Sequence, residues 1–243
     1  MKPILILQLR PEADAADGEF ASFLARGALS ADQVHRIRLD QETLPDGLGL
    51  DDYSAVIVGG GPGCVSDPVD QKSALDARIE NQVMSLMPDI VARDFPFMGC
   101  CYGIGILAHH LGAEVSKRAY GEPVGPSTCR QVAEDPLLDG LPDVFEAYVG
   151  HKEAVQNLPA GCVHLVESGP CPFQMIRYGQ NVYATQFHPE ADAGDFEARI
   201  RIYQNHGYFP PKDADRLIQA CHGADVTVPG EMLRRFVARY QCA

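Results

Sequence analysis

The chain has no long apolar run and little positive charge. No apolar stretch in its 243 residues approaches the roughly 18 that a membrane-spanning helix needs. Near the N-terminus, one lysine and a short apolar run are followed by acidic residues, without the small-residue cleavage site of a signal peptide. We therefore expect no membrane association, and residues 4–9 predict a first buried strand.

The net charge indicates which partners the chain can bind, and the cysteine content indicates the redox compartment in which it works. There are 20 basic side chains against 33 acidic ones, a formal net charge of -13. Such a surface repels phosphate backbones, so we expect no nucleic-acid partner. Eight cysteines are spread along the chain, far less densely than in small disulfide-bonded secreted scaffolds. Reduced thiols and a cytoplasmic location are expected, with one thiol available for catalysis.

The first half of the chain alternates between strand and helix periodicity. Predicted strands lie at 4–9, 33–39, 55–58 and 97–98. Predicted helices lie at 19–29, 73–93 and 104–111, the second bent or broken at Pro88. Alternation of this kind favours an α/β fold, a mostly parallel, doubly wound sheet with helices on both faces.

The second half has a different character. Glycine and proline are frequent between 115 and 183, and short β-like runs occur at 145–149, 163–166, 174–178 and 182–185. These features predict a hairpin-rich insertion on the same sheet. A break at 207–211 precedes predicted helices at 213–221 and 230–240. With no repeat or linker, we expect one domain over 1–243, with 207–243 as a C-terminal helical extension.

The strongest local signal is Gly-Cys-Cys-Tyr-Gly at residues 99–103, between a predicted strand and a predicted helix. A nucleophile elbow needs glycines two residues either side of the nucleophile, which selects Cys101. Cys100 has Met98 in the corresponding place and is interpreted as a small buried residue. The helix N-terminus behind the turn favours thiolate over thiol near neutral pH. Alone, the motif fits a buried structural cysteine equally well.

A second motif, Gln-Phe-His-Pro-Glu at residues 186–190, follows the predicted strand 182–185. A cysteine nucleophile needs a general base within hydrogen-bond reach and a third group that orients the base. His188 is the predicted base and Glu190 the predicted orienting group. The fixed φ of Pro189 stiffens the spacing between them.

A third motif, Gly-Gly-Gly-Pro-Gly at residues 59–63, follows the predicted strand 55–58. Glycines allow backbone N–H groups to face a substrate, and acyl transfer needs such donors where the oxyanion develops. A phosphate-binding loop would continue with Gly-Lys-Ser/Thr, which is missing. The oxyanion interpretation is therefore favoured.

The three motifs, which follow one another in the chain at residues 59–63, 99–103 and 186–190, resemble class I glutamine amidotransferases, above all the amidotransferase domain of GMP synthetases, over about residues 50–205. The resemblance implies a flavodoxin-like sheet with a Cys-His-Glu triad of Cys101, His188 and Glu190, and no cofactor or metal. It also implies glutamine hydrolysis through a γ-glutamyl thioester, with release of ammonia. The backbone N–H groups of Gly61 and Tyr102 would then form the oxyanion hole.

The substrate-binding residues implied by the resemblance are Gly60, Gly105, Gly150, His151 and Lys152. Residues 149–153, Val-Gly-His-Lys-Glu, stand where the family commonly has Ser-His-Gly-Asp. Lys152 could pair with a substrate carboxylate, and the acidic residue after it with an amine, or both could be solvated surface charges. Gly105 stands where the family commonly has a substrate-binding glutamine. Losing that side chain weakens discrimination, so we expect glutamine to be a poor substrate or a bulkier γ-glutamyl compound to be preferred.

Three functions remain open. The first is glutamine hydrolysis, with ammonia passed to a separate synthetase subunit. The second is a stand-alone γ-glutamyl hydrolase or peptidase that acts on larger γ-glutamyl compounds. The third is a non-catalytic regulatory or binding protein on the same fold, against which the intact Cys101, His188 and Glu190 argue.

Overall fold

The fold is built from eleven strands and six α-helices, seen in a computed structural model that describes residues 2–205 and 209–241. The strands are β1 (Ile4–Gln8), β2 (Val34–Arg38), β3 (Ala55–Val58), β4 (Phe97–Cys100), β5 (Val115–Ser116), β6 (Glu122–Gln131), β7 (Val144–His151), β8 (Ala154–Val155), β9 (Cys162–Ser168), β10 (Met175–Tyr178) and β11 (Val182–Thr185). The helices are α1 (Ala13–Gly27), α2 (Ala74–Ala92), α3 (Tyr102–His110), α4 (Ala193–Tyr203), α5 (Ala214–Gly223) and α6 (Val228–Gln241).

Nine strands form one sheet in the order β2-β1-β3-β4-β11-β10-β9-β6-β7. The first five run parallel, and β10, β9, β6 and β7 continue the sheet through antiparallel pairs. The short strands β5 and β8 pair separately. The predicted flavodoxin-like α/β fold is thus confirmed, and the hairpin-rich region is the antiparallel half of its sheet.

Side chains of the parallel strands alternate between two cores, one on each face of the sheet. On one face, Leu5 and Val56 pack with α2 and α3. On the other face, Ile4 and Ile57 pack with Phe23 of α1 and with α6. Strands buried on both faces explain the near-continuous apolar runs in the sequence.

Helix α2 and strand β6 are among the elements that differ from the expectations. Helix α2 is not broken at Pro88, which lies inside it. Its face with Val83, Met87 and Ile90 is buried in the core, and this packing holds the helix together despite the hydrogen bond that proline removes. Strand β6 has no counterpart among the predicted strands, because its prolines and glycine indicate a loop. A register shift between Glu122 and Gly125 accommodates this sequence in the sheet.

The last two helices pack against the rest of the fold. Phe236 of α6 lies in the core beside α1, while Leu217 and Ile218 of α5 pack with α4. Of the predicted break at 207–211, residues 207 and 208 lie outside the described residues. No helix in residues 2–205 and 209–241 has the length and apolar character needed to cross a membrane.

Candidate active site

Cys101 stands in the sharp turn between β4 and α3. Its backbone has φ 53° and ψ -88°, a strained conformation for a residue with a side chain. The turn is fixed by the Cys101 N–H, which donates to the Thr185 carbonyl at 2.7 Å. A Cβ at Gly99 would lie 2.8 Å from the carbonyl carbon of Gly103, so the turn needs glycine at position 99. Cys100 is fully buried in the core.

His188 and Glu190 follow β11, which runs parallel to β4, so both loops leave the same edge of the sheet. The His188 N–H donates to the Tyr148 carbonyl at 2.9 Å, which fixes the chain. The Nδ1 of His188 lies 2.8 Å from Oε1 of Glu190. Both side chains are buried, with exposed fractions of 4% and 0%. A carboxylate in this place orients an imidazole and stabilises its protonated form.

Burial and neighbouring charges set the ionisation of this pair. Burial lowers the pKa of His188, and the charge of Glu190 opposes this only in part, so the free base predominates at neutral pH. Burial alone would raise the pKa of Glu190, but His188 and Arg199 outweigh it and hold that pKa below its usual value. The Nη2 of Arg199 lies 3.0 Å from Oε1 of Glu190, an ion pair outside hydrogen-bond geometry.

The pKa of the Cys101 thiol differs from the expectation that a helix N-terminus favours the thiolate. Burial raises its pKa to about 12, and the positive charge of Arg10 opposes the effect without cancelling it. The only side-chain hydrogen bond that the described residues offer its Sγ comes from Nε2 of Gln186, at 3.9 Å. Cys101 therefore rests as a thiol, and a nucleophilic role for it would require a base that takes its proton.

This resting state predicts a steep pH dependence of alkylation. Below a pKa near 12, the thiolate fraction grows tenfold with each pH unit. The rate of Cys101 modification by iodoacetamide without substrate should therefore rise about tenfold per unit between pH 7 and pH 9. The measurement is mass spectrometry of the Cys101 peptide over time, with glutathione as an unperturbed thiol that levels off near its own pKa. A rate for Cys101 that is constant over this range would contradict the expectation.

The glycine loop after β3 is fixed at both ends by buried carboxylates. The Gly60 N–H donates to Oε1 of Glu19 at 3.2 Å. The backbone N–H groups of Val65 and Ser66 donate to Glu153 at 2.8 and 2.9 Å. These carboxylates hold the loop that carries Gly61.

The position of Glu153 also accounts for the small residue at position 105. A Cβ at position 105 would lie 3.2 Å from Oε1 of Glu153, so the carboxylate occupies the space next to α3 that a larger side chain would need. Glu153 is buried and accepts a third hydrogen bond, from Oγ of Ser66 at 2.6 Å. It is therefore not one of the solvated surface charges considered above. Lys152, its neighbour, is exposed.

His151 faces into the protein. Its Nδ1 lies 2.8 Å from the Glu153 carbonyl and its Nε2 lies 3.0 Å from Oε2 of Glu122. Glu122 also accepts from the hydroxyls of Ser127 and Ser168. With Cys171, His151 and Glu122 form a buried group with metal-ligand atoms, but the His and Glu atoms are engaged in these hydrogen bonds. His151 thus supports the Glu153 backbone.

Two cavities adjoin Cys101, Gly61 and Gly150. The first cavity lies towards α3 and is also lined by Tyr102, Gly105, His151, Lys152, Glu153 and Gln186. The second cavity lies towards α4 and is also lined by Arg10, His188, Phe196, Arg199, Ile200 and Tyr203. Gly60 lies beside the second cavity, since a Cβ there would lie 2.6 Å from Cε1 of His188 and 2.7 Å from Nη2 of Arg10. The predicted site residues thus come together around one thiol.

Sequence reasoning missed three buried charged residues of this region. Arg10 follows β1 and pairs with Glu19 at 2.9 Å, and Arg199 lies on α4. Arg10 follows the first strand at the edge where Cys101 and His188 also lie, which is a signal for the site. Glu19 and Arg199 lie within helices, and only the tertiary fold turns them towards the triad.

Comparisons with known proteins agree with this architecture. The sequence model of the family described as glutamine amidotransferase class-I matches residues 17–206. The chain therefore belongs to the class I glutamine amidotransferase family.

Relatives include GMP synthase [glutamine-hydrolyzing] of Thermosipho melanesiensis, 32% identical over 152 residues, which are 60% of this chain and 26% of the relative. GMP synthase [glutamine-hydrolyzing] of Streptococcus thermophilus is 30% identical over 168 residues, 68% of this chain and 28% of the relative. The chain thus spans about a quarter of the length of these relatives.

Among solved structures, a glutamine amidotransferase from Thermotoga maritima has a TM-score of 0.79 at 20% identity and covers 100% of both chains. A glutamine amidotransferase from Methylobacillus flagellatus has a TM-score of 0.73 at 22% identity, covering 99% of this chain and 94% of its own. At these identities the likeness concerns the fold.

Proposed function

We propose that this chain hydrolyses the γ-amide of glutamine through a γ-glutamyl thioester on Cys101 and releases ammonia. The observation that carries the proposal is the buried His188–Glu190 pair, 2.8 Å apart, at the same sheet edge as the Cys101 elbow. The names of the GMP synthase relatives, which include glutamine hydrolysis, are consistent with it. The ammonia would pass to an acceptor or to a separate synthetase subunit.

In the proposed mechanism, His188 takes the proton of the Cys101 thiol as the sulfur attacks the amide carbon. The oxyanion that forms is stabilised by the backbone N–H groups of Gly61 and Tyr102. His188 then gives its proton to the leaving nitrogen, the C–N bond breaks and ammonia departs. Water, deprotonated by His188, attacks the thioester, which releases glutamate and restores the thiol.

The electrostatics support these roles. His188 rests unprotonated because burial lowers its pKa, as a general base requires. The ionised Glu190 stabilises the imidazolium that forms during the attack. Hydrogen bonds to the carboxylates of Glu19 and Glu153 fix the glycine loop on either side of Gly61. The proposed oxyanion donor of Gly61 therefore belongs to a loop that needs no reorganisation at the moment of reaction.

The test is glutamine turnover by the purified chain, followed by ammonia and glutamate release. In parallel, an electrophilic glutamine analogue should form a covalent adduct on Cys101, located by peptide mass spectrometry. We expect equal amounts of ammonia and glutamate, and protection of Cys101 by excess glutamine. Absence of both turnover and adduct would refute the proposal.

A second candidate is hydrolysis of larger γ-glutamyl compounds by the same thiol. The observation that favours it is the second cavity, which lies beside His188 and Cys101 and offers space for an amine larger than ammonia. Turnover of γ-glutamyl amides without turnover of glutamine would support this candidate over the first.

A further inference from the structure

Two buried arginines line the second cavity next to the triad, each beside a buried carboxylate, Arg10 beside Glu19 and Arg199 beside Glu190. Arg10 and Arg199 line it with exposed fractions of only 6% and 7%, together with His188. Phe196 and Ile200 supply apolar surface on the α4 side. A cavity with a few fixed polar groups and apolar walls is the usual form of a small-molecule site.

Arg10 has a donor that its protein partners leave unused. Its Nε donates to Glu19 at 2.9 Å and its Nη1 to the Tyr203 hydroxyl at 3.4 Å. Within residues 2–205 and 209–241, Nη2 of Arg10 has no hydrogen-bond partner. A methyl group at Gly60 would lie 2.7 Å from this Nη2 and 2.6 Å from Cε1 of His188, so the two groups are neighbours. Glycine at position 60 leaves the donor beside the imidazole uncovered.

The position of His188 decides which half of a substrate enters each cavity. The imidazole must protonate the leaving nitrogen, so the amine half lies on the His188 side of Cys101. His188 lines the second cavity, whereas Gly105 and Tyr102 line the first. In the proposed mechanism the acyl half would therefore occupy the first cavity and the amine half the second.

We propose that the second cavity binds the amine half of a γ-glutamyl amino acid or short peptide, and that Arg10 binds the carboxylate of that half. The inference rests on the proposed thioester chemistry. Ammonia would make no use of the cavity, whereas a guanidinium N–H beside a carboxylate forms a strong, directional hydrogen bond. The apolar surface of Phe196 and Ile200 suits an amino-acid side chain.

The reaction balances without a further reagent. The thiol proton moves through His188 to the amine nitrogen as the C–S bond forms and the C–N bond breaks, and the amino acid leaves. Water then cleaves the C–S bond, its proton returns to Sγ through His188, and glutamate leaves.

The test compares two substrates that differ only in the carboxylate, γ-glutamylglycine and γ-glutamylmethylamide. Glutamate release by the wild-type chain gives kcat/KM for each, with glutamine measured in parallel. We expect γ-glutamylglycine to be preferred by about tenfold or more. Equal kcat/KM values would overturn the inference, while turnover of glutamine in that same experiment would leave the proposed function standing. No glutamate from any of the three compounds would overturn both.

Variants of Arg10 test whether this residue recognises the carboxylate of the amine half. In Arg10→Gln the preference should fall to within about threefold, and Arg10→Lys should retain part of it because the charge remains. Arg93→Gln, which removes an exposed arginine paired with Asp51, is the matched control and should keep the wild-type ratio. Circular dichroism checks the fold of each variant. An equal loss on both substrates in Arg10→Gln would overturn the inference, since Arg10 would then act on the thiol and not on the substrate.

Discussion

Replacing Cys101 by alanine is expected to lower glutamine turnover by about 10⁴-fold or more, to the background of the assay. In the proposed mechanism the Cys101 thiol forms the covalent intermediate, and His188 without it has no nucleophile to activate. The measurement is the initial rate of ammonia release under saturating glutamine. The same variant should bind no electrophilic glutamine analogue.

Cys100→Ala is the matched control, because this neighbouring thiol is fully buried in the core. It should fold with a modest loss of stability, about 1 kcal/mol for a small buried group, and keep its activity within about threefold of wild type. A Cys101→Ala chain that retains a tenth of the activity would reject the nucleophile assignment. A Cys100→Ala chain as inactive as Cys101→Ala would reject the choice between the two thiols.

The second large effect is expected for Glu190→Gln, with a fall in kcat of about 10³- to 10⁴-fold. The amide keeps the shape of the carboxylate but has no charge to stabilise the imidazolium, and it can hold the wrong tautomer of His188. It also leaves Arg199 without its buried counter-charge, so the free energy of unfolding should fall by about 3 kcal/mol. Rates of turnover and thermal unfolding measure the two effects separately.

Glu197→Gln provides the comparison for this change. Glu197 is a carboxylate on the nearby helix α4, paired with Arg201 and His222 at the surface. Because surface ion pairs contribute little, activity within about twofold of wild type is expected. If Glu190→Gln kept more than a tenth of the wild-type kcat, Glu190 would not be the group that orients the base.

The parts of the fold predicted from the sequence are those governed by local pattern. Apolar runs bounded by glycine located β3 and β4, and the spacing of glycines about Cys101 located the sharp turn. Strand β6 was missed because its register shift depends on pairing with β7 and β9, which lie later in the chain. Helix α2 continues through Pro88 because of core packing, which local propensity does not contain.

The candidate site also has features that the sequence could predict and features that depend on the tertiary structure. His188 and Glu190 are two residues apart, so the sequence could suggest their contact. The pairs Arg10–Glu19 and Arg199–Glu190 join separate elements of the fold. The ionisation of Cys101 was also beyond the sequence, since the helix N-terminus favours thiolate but the cost of burial is decided by the whole packed structure.

The contact between Gly105 and Glu153 limits which substitutions the chain can tolerate at these two positions. A glutamine introduced at 105 would press against a carboxylate that three hydrogen bonds hold in place, and would disturb Val65 and Ser66 with it. A change at 153 alone would free the loop and leave an unfilled space beside α3. Neither substitution is favourable as a first step, so a glutamine at position 105 would require a simultaneous change at position 153.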